Sequence, residues 1–169
     1  MQALYAMKTV TFDTTSKPTD PEVKGAVNAG WDVAFATVTE RETENADFNV
    51  ELKKYNKVTE LGVWDEGSWD EARWADDDSS NILESILLVI SNGSFPKARN
   101  NLTKGQIHQL RDAMILEAHA NAKRDLFVTG DVKAFINNSN RGQLEALLNT
   151  RIISIKEFEA ELNEQNTAV

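Results

Sequence analysis

Cysteine is absent from the 169 residues of this chain, and histidine occurs only at positions 108 and 119. Without cysteine, a disulfide framework, a thiolate zinc site and a cysteine nucleophile are all excluded, and a reducing compartment is favoured. Two histidines without any thiolate make a poor zinc site, so His108 and His119 are expected to be ordinary helix residues. The expected location is the cytoplasm.

Long apolar runs are also missing. The longest, Ile82 to Ile90, is interrupted by Glu84 and Ser85 and is far shorter than the roughly 20 residues of a membrane span. The N-terminal residues lack the basic region, long apolar core and small-residue cleavage site of a signal peptide. With 41% apolar residues, the chain can bury one sizeable core. We expect one soluble domain over residues 1–169 and no membrane partner.

Positive charge is scarce and unevenly placed. The net charge of -9 argues against a protein that coats nucleic acid, because neutralising phosphates needs clustered Lys and Arg. Residues 1–90 hold 8 Lys and Arg against 18 Asp and Glu, whereas residues 91–156 hold 10 against 5. Six basic residues of the second half either line an RNA path or are scattered solvated charges: Lys97, Arg99, Lys104, Arg111, Lys133 and Arg141.

Strands and helices alternate in the first part of the sequence. The β-branched residues 9–13 predict a strand, and Asp20 followed by Pro21 predicts a helix that stops at Gly30. The apolar residues 33–37 predict a second strand that is buried on both faces. A strand, a helix and a strand at this spacing form a βαβ unit of a parallel sheet.

The middle of the sequence is richer in charge and in tryptophan. Thr39 and Glu42 have the spacing of a capping box and predict a helix to about Tyr55. Residues 61–101 are interpreted as a helical insertion. Its first part carries Trp64, Trp69 and Trp74 among acidic residues, and residues 76–78, which are all aspartate, predict the start of a helix. That helix carries an apolar stripe of helical period: Ile82, Leu83, Ile86, Leu87 and Ile90. Because acids repel phosphate, these tryptophans are expected in the core or at a protein contact rather than against bases.

The second half returns to an α/β pattern. Thr103 and Gln106 form a capping box that begins a helix to about Lys123, and residues 126–129 predict a buried strand before the turn Gly130-Asp131. The remaining predicted elements are a short helix near Phe135, a helix over 143–148, a strand over 151–155, a closing helix capped by Ser154 and Glu157, and a flexible tail over about 163–169.

Four acids stand out against this pattern. Asp13 ends the first strand and Asp131 follows a later one, which is where open α/β sheets place their ligands. Asp112 lies within a helix, where aspartate is unfavourable, and Glu42 lies in the first turn of another. Four carboxylates brought together repel one another unless a hard divalent cation neutralises them. The set therefore predicts a Mg²⁺ or Mn²⁺ site.

Four segments in this order resemble the motifs of PIN-domain proteins. They are Asp13 after a β-branched strand, Thr39-x-x-Glu42 opening a helix, Asp112-Ala-Met-Ile-Leu-Glu-Ala-His-Ala inside a helix, and Asp125-Leu-Phe-Val-Thr-Gly-Asp131-Val-Lys-Ala-Phe135. Residues 141–158 are similar to the last helix and strand of that family. The likeness covers most of the chain, and its most specific part is residues 107–158.

The resemblance implies a three-layer α/β/α sandwich with a central parallel sheet and a metal-dependent endoribonuclease centre. Asp13, Glu42, Asp112 and Asp131 would ligate Mg²⁺ or Mn²⁺, and Thr129 would support the site. RNA would be the substrate and water would attack the phosphodiester. The family includes toxins of toxin-antitoxin pairs, so an antitoxin or another protein partner and a homodimer are further expectations.

Several alternatives stay open. Each acid also has a structural interpretation: Asp13 as a strand terminus, Glu42 as a capping residue, Asp112 as a surface acid paired with a neighbour, and Asp131 as a turn residue. Glu40 or Glu44 could replace Glu42 as the second acid. The competing function is a PIN-like module with weak or no catalysis, which binds protein or RNA and uses the tryptophan-rich insertion for its partner.

Overall fold

The computed structural model describes residues 7–42, 46–60 and 77–167. In these ranges the chain alternates strands and helices, in the order β1 (Thr9–Phe12), α1 (Pro21–Asn28), β2 (Asp32–Ala36), α2 (Thr37–Glu42), α3 (Asn49–Leu52), β3 (Asn56–Val58), α4 (Asp77–Ile90), α5 (Lys104–Asn121), β4 (Leu126–Thr129), α6 (Val132–Phe135), α7 (Asn140–Leu148), β5 (Arg151–Ser154) and α8 (Ile155–Thr167).

The strands form one all-parallel sheet in the order β3-β2-β1-β4-β5. From β1 the chain moves outward through β2 and β3, and it then crosses over to place β4 on the opposite side of β1 and β5 beyond it. The direction of strand addition therefore reverses between β1 and β4. In open α/β sheets, the carboxyl ends of such a strand pair border the crevice where ligands bind.

Each face of the sheet is covered by helices, because side chains along a buried strand alternate between two cores. Phe12 and Val128 project into one core with α1 and α8, where the Phe12 and Phe158 rings meet edge to face at 5.5 Å. Phe127 projects into the other core with α4 and α5. The predicted α/β class, with its central parallel sheet between helical layers, is confirmed.

Helix starts follow the local sequence signals. Asp20 is the N-cap of α1 with Pro21 after it, although the Asp20 carboxylate accepts from the Lys17 N–H at 2.8 Å rather than from the helix. Thr103 and Gln106 form the predicted capping box of α5. Ser154 and Glu157 do the same for α8, since the Glu157 carboxylate accepts the Ser154 N–H at 2.8 Å.

The predicted helix from Thr39 to about Tyr55 is wrong. Strand β2 passes directly into α2 at Thr37, so Thr39 lies inside the helix and is not its N-cap. After α2 come α3 and then β3, an edge strand that the sequence analysis missed. Few apolar residues lie in this segment, and pairing of β3 with β2 overrides its weak helical pattern.

Three further expectations concern the tryptophan-rich segment, the C-terminal tail and membrane spans. Trp64, Trp69 and Trp74 lie outside them, so their predicted packing stays a prediction. Helix α8 continues to Thr167, through a segment for which the sequence predicts a flexible tail. Among the helices that the structure describes, none combines the length and apolarity required to cross a membrane.

His119 is a buried polar residue in the core on the α5 side of the sheet. Its Nδ1 lies 2.9 Å from Thr11 Oγ1 of β1, and its Nε2 lies 2.7 Å from Thr150 Oγ1 before β5. One neutral tautomer satisfies both contacts, because each hydroxyl can either donate or accept. Burial, with a smaller contribution from the charge of Arg124, lowers the pKa of His119 to about 3.

Replacement of His119 should change how stability depends on pH. The folded chain keeps this ring neutral, whereas the unfolded chain protonates it below its ordinary pKa of 6.5. Because of this residue, the free energy of unfolding decreases as pH falls from about 6.5 toward 3. The decrease is about 2 kcal/mol between pH 7 and pH 5. In urea unfolding, His119→Gln should lose this part of the pH dependence.

His108→Gln is the matched control, because His108 is exposed on the same helix. The His108→Gln variant should retain the pH-dependent loss of stability that His119 causes. Parallel pH profiles for His119→Gln and the parent would show that His119 is not held neutral.

Candidate functional site

Asp13 and Asp131 lie at the carboxyl ends of β1 and β4, the strands between which the sheet order reverses. The Asp13 N–H donates to the carbonyl of Val128 at 3.2 Å, which extends the pairing of these strands to the acid itself. Asp13 is only 2% exposed. The predicted convergence of these two residues at the edge of the sheet therefore has a structural basis in adjacent strands.

Three donors hold the Asp13 carboxylate. The N–H of Thr15 donates to Oδ1 at 2.9 Å, and the Thr15 hydroxyl donates to the same oxygen. The Thr129 hydroxyl donates to Oδ2 at 2.5 Å. These bonds replace hydration that the carboxylate loses on burial, which is the condition for keeping a charged group in a protein interior.

Opposing effects act on the pKa of Asp13. Burial is the largest, and it raises the pKa above the ordinary value because the ionised form loses solvation. Hydrogen bonds from Thr129 and Thr15 act in the opposite direction, whereas the charge of Asp131 raises the pKa further. Asp131 therefore lies near enough for its charge to act on the buried carboxyl.

Asp131 is the N-cap of the short helix α6. Its Oδ1 accepts the N–H of Ala134 at 2.9 Å, and its own N–H donates to Thr129 Oγ1 at 2.9 Å. Thr129 thus links the two acids, since its hydroxyl accepts from the backbone of Asp131 and donates to the side chain of Asp13. This contact gives a physical basis to the supporting role predicted for Thr129.

Asp112 lies two helical turns before His119 on the same face of α5, because seven residues nearly complete two turns. His119 contacts Thr11 in the middle of β1 and Thr150 before β5. Since a crossover helix runs antiparallel to the strands that it connects, the step back to Asp112 leads toward the carboxyl edge of the sheet. Asp112 is half-buried there.

The second acid stays open. The backbone of Glu42 ends α2, which follows β2 at the same edge of the sheet, but its side chain lies outside the described residues, as does Glu44. Glu40 is half-buried and forms an ion pair with Lys57 of β3. That ion pair makes Glu40 a less suitable metal ligand than Glu42 or Glu44, because the charge of Glu40 is already balanced.

The donor set suits a hard cation such as Mg²⁺ or Mn²⁺, since it consists of carboxylate oxygens beside hydroxyls. An ionised carboxylate has about four acceptor positions. Among described residues, Oδ1 of Asp13 accepts two bonds and Oδ2 one. Over residues 7–42, 46–60 and 77–167, no group of three Asp, Glu or His side chains is preassembled for a metal ion.

A separate cleft runs beside the edge strand β5 and has a volume of about 690 Å³. Its charged side chains pair with one another: Arg141 donates to both oxygens of Glu157, and Arg151 pairs with Glu161. These bonds with Arg141 are the main reason why the pKa of Glu157 is lowered to about 2. Both arginines of this cleft are therefore already paired with carboxylates.

Thr15 and Gly130 are parts of the site that the sequence analysis missed. The Gly130 N–H donates to Thr15 Oγ1 at 2.7 Å, between residues 115 positions apart in the chain. One local signal was present, because a hydroxyl residue two positions after an aspartate commonly bonds to its carboxylate. The contact with Gly130 has no such local signal.

Comparison of the chain with protein-family models, curated proteins and solved structures gives no match. Function is therefore inferred from the residues of this chain.

Replacing Thr129 by valine should destabilise the protein by about 2 kcal/mol at neutral pH, because a hydrogen bond to a charged group is lost at nearly constant volume. Thr129 is fully buried, so water cannot replace the hydroxyl. The lost bond favours ionised Asp13, so the penalty should shrink as pH falls through the raised pKa of that carboxyl. Urea unfolding of the parent and of Thr129→Val at several pH values measures this difference in the free energy of unfolding.

Thr129→Ser is the matched control, since it retains the hydroxyl. It should preserve most of the pH-dependent stabilisation, apart from a constant loss for the missing methyl group. A valine penalty that is independent of pH would contradict ionisation of Asp13 in the folded protein.

Proposed function

We propose that this protein is a metal-dependent endoribonuclease of the PIN type, with Asp13 and Asp131 at its centre. One observation carries the proposal: Asp13 and Asp131 follow neighbouring strands where the sheet order reverses, and the Thr129 hydroxyl bonds both to the Asp13 carboxylate and to the Asp131 backbone N–H. Like charges held together at a ligand crevice call for a cation.

The positions of the motifs support the family assignment. The segments that resemble PIN-domain motifs end β1 and β4, and the third lies on α5 in the layer that covers them. Asp13 and Thr129 make contact across 116 positions, so the motifs meet in space.

Asp13 and Asp131 would hold Mg²⁺ or Mn²⁺, with Asp112 and Glu42 as further ligands directly or through water. When bound, the ion would lower the pKa of water and neutralise charge on the phosphodiester. Asp13 contributes a carboxylate whose position is fixed by three donors. Asp131 contributes a second charge at the N-cap of α6, where its carboxylate accepts the Ala134 N–H. No side chain need act as a covalent nucleophile.

RNA is the substrate in this proposal, and Lys133 is a basic residue that lies close to Asp131 in the chain. Lys133 is exposed on α6, two residues after Asp131. A lysine there can hold a phosphate beside the acids without neutralising them through a direct ion pair. The resemblance also suggests a toxin with an antitoxin partner, and the net charge of -9 suits a basic partner.

The direct test is cleavage of a mixed RNA substrate with Mn²⁺. Asp13→Asn and Asp131→Asn should each lower the cleavage rate by about 100-fold or more, because each removes charge that positions the cation. Glu164→Gln is the control, since Glu164 is exposed near the end of α8, which leads away from the carboxyl edge of the sheet. Circular dichroism establishes that each variant is folded.

Cleavage that persists in both variants and in excess chelator would refute the metal-dependent nuclease. RNA binding without cleavage by the parent would instead favour the alternative, a PIN-like module that binds but does not cut.

Mn²⁺ should also stabilise the folded protein in the absence of RNA. A ligand that binds only the folded state adds about 2.7 kcal/mol at a concentration one hundred times its dissociation constant. Since the cation would relieve repulsion between Asp13 and Asp131, the melting temperature should rise with Mn²⁺ in the parent and much less in Asp131→Asn. Ca²⁺ and Na⁺ at equal ionic strength separate specific binding from screening, and no Mn²⁺-specific rise would count against the site.

A further inference from the structure

Two hydroxyls connect Asp13 to the loop that carries Asp131, and they do so in the same way. Thr15 Oγ1 accepts the Gly130 N–H at 2.7 Å and donates to Oδ1 of Asp13. Thr129 Oγ1 accepts the Asp131 N–H at 2.9 Å and donates to Oδ2 at 2.5 Å. Successive backbone amides therefore bond, through one hydroxyl each, to the two oxygens of one carboxylate.

This arrangement fixes the direction of each hydroxyl. A backbone N–H can only donate, so each hydroxyl accepts from the amide and directs its own hydrogen toward Asp13. The Thr15 N–H adds a second donor to Oδ1 at 2.9 Å. Bonds from described residues thus fill Oδ1 and leave an acceptor position on Oδ2.

The packing between the loops supports a built contact. A Cβ atom added at Gly130 would lie 2.7 Å from Thr15 Oγ1, 3.0 Å from Thr15 Cβ and 3.2 Å from Ile155 Cδ1. Such distances to a side-chain stem and to a methyl group cannot be accommodated without moving the loops. Gly130 therefore permits an approach that alanine would prevent.

We propose that Thr15 is a positioning residue that clamps the loop after β1 to the loop after β4 and turns Oδ2 of Asp13, rather than Oδ1, toward a cation. The role of Thr15 in metal binding rests on the proposed function, whereas the contact of Thr15 with the loop after β4 does not depend on any metal. Asp13 would then offer a cation one oxygen, Oδ2. The spacing between Asp13 and Asp131 is set by Thr15 as well as by Thr129.

The test compares Thr15→Val, which removes the hydroxyl at similar volume, with Thr15→Ser, which retains it. Mn²⁺ affinity is measured by titration with detection of free Mn²⁺ by electron paramagnetic resonance. Residues that orient metal ligands commonly change affinity by 10- to 100-fold, so Thr15→Val should bind Mn²⁺ about 10-fold more weakly. Thr15→Ser should stay within about twofold of the parent.

Two further variants separate positioning from general damage. Gly130→Ala retains both hydroxyl residues and both acids in the chain, but its methyl group would push Thr15 away from the loop after β4. It should therefore weaken Mn²⁺ binding about as much as Thr15→Val does. Thr14→Val alters the preceding threonine and should leave affinity unchanged. Melting temperatures are recorded for all variants, and a purely structural role predicts lower melting temperatures with unchanged Mn²⁺ affinity.

Amide hydrogen exchange provides a readout without metal. The Gly130 N–H should exchange at least about 10-fold faster in Thr15→Val than in the parent, while the amide of Phe127 within β4 should not change. An unchanged Gly130 exchange rate would overturn the clamp. Faster exchange with unchanged Mn²⁺ affinity would overturn the positioning role, and a parent that binds no Mn²⁺ would refute the metal site while the exchange result still decides the clamp.

Discussion

A carboxylate that is buried between two strand ends raises the free energy of the folded chain unless donors replace its water. At Asp13 the replacement comes from both sides of the crevice, with Thr15 from its own loop and Thr129 from the neighbouring strand. The parallel pairing of β1 with β4 brings Thr129 within reach. The candidate site therefore depends on this pairing more directly than on any single helix.

The same layer of the core holds a second buried polar residue with different properties. Thr11 and Asp13 are two residues apart and project to the same face of the sheet. Thr11 contacts His119, which is neutral, and its hydroxyl is free to donate or accept as the ring requires. The hydroxyls around Asp13 have no such freedom, because backbone amides orient them toward the carboxylate. One position is thus suited to a neutral ring and the other to a charge.

How far the sequence predicts the fold depends on how local each signal is. Strands β1, β2, β4 and β5 are short runs rich in apolar and β-branched residues, and the helix caps at Thr103 and Ser154 span three residues. Both kinds of signal are therefore complete within a short window. The segment after β2 has few apolar residues, and β3 forms because β2 offers it a partner. That preference is not contained in residues 56–58.

In the candidate site, too, the sequence predicts the features that depend on local signals and misses the contacts between distant segments. The strand-end positions of Asp13 and Asp131 follow from strand boundaries, so the sequence predicts them. The contacts of Asp13 with Thr129 and of Thr15 with Gly130 join segments more than one hundred residues apart, and no short motif contains them. The missing capping role of Thr39 has a related cause, because the junction of β2 with α2 is set by the sheet rather than by the helix.

Electrostatics distinguishes the crevice at β1 and β4 from the cleft beside β5. In the cleft, Arg141 and Glu157 satisfy each other, so a charged ligand would have to break an existing pair before it bound. In the crevice, the charge of Asp131 adds to the cost of ionising the buried Asp13. A cation would lower the free energy of the crevice directly, without first displacing a counter-charge between these acids. The Asp13 carboxylate, which is buried and faces the charge of Asp131, is therefore the candidate for metal chemistry.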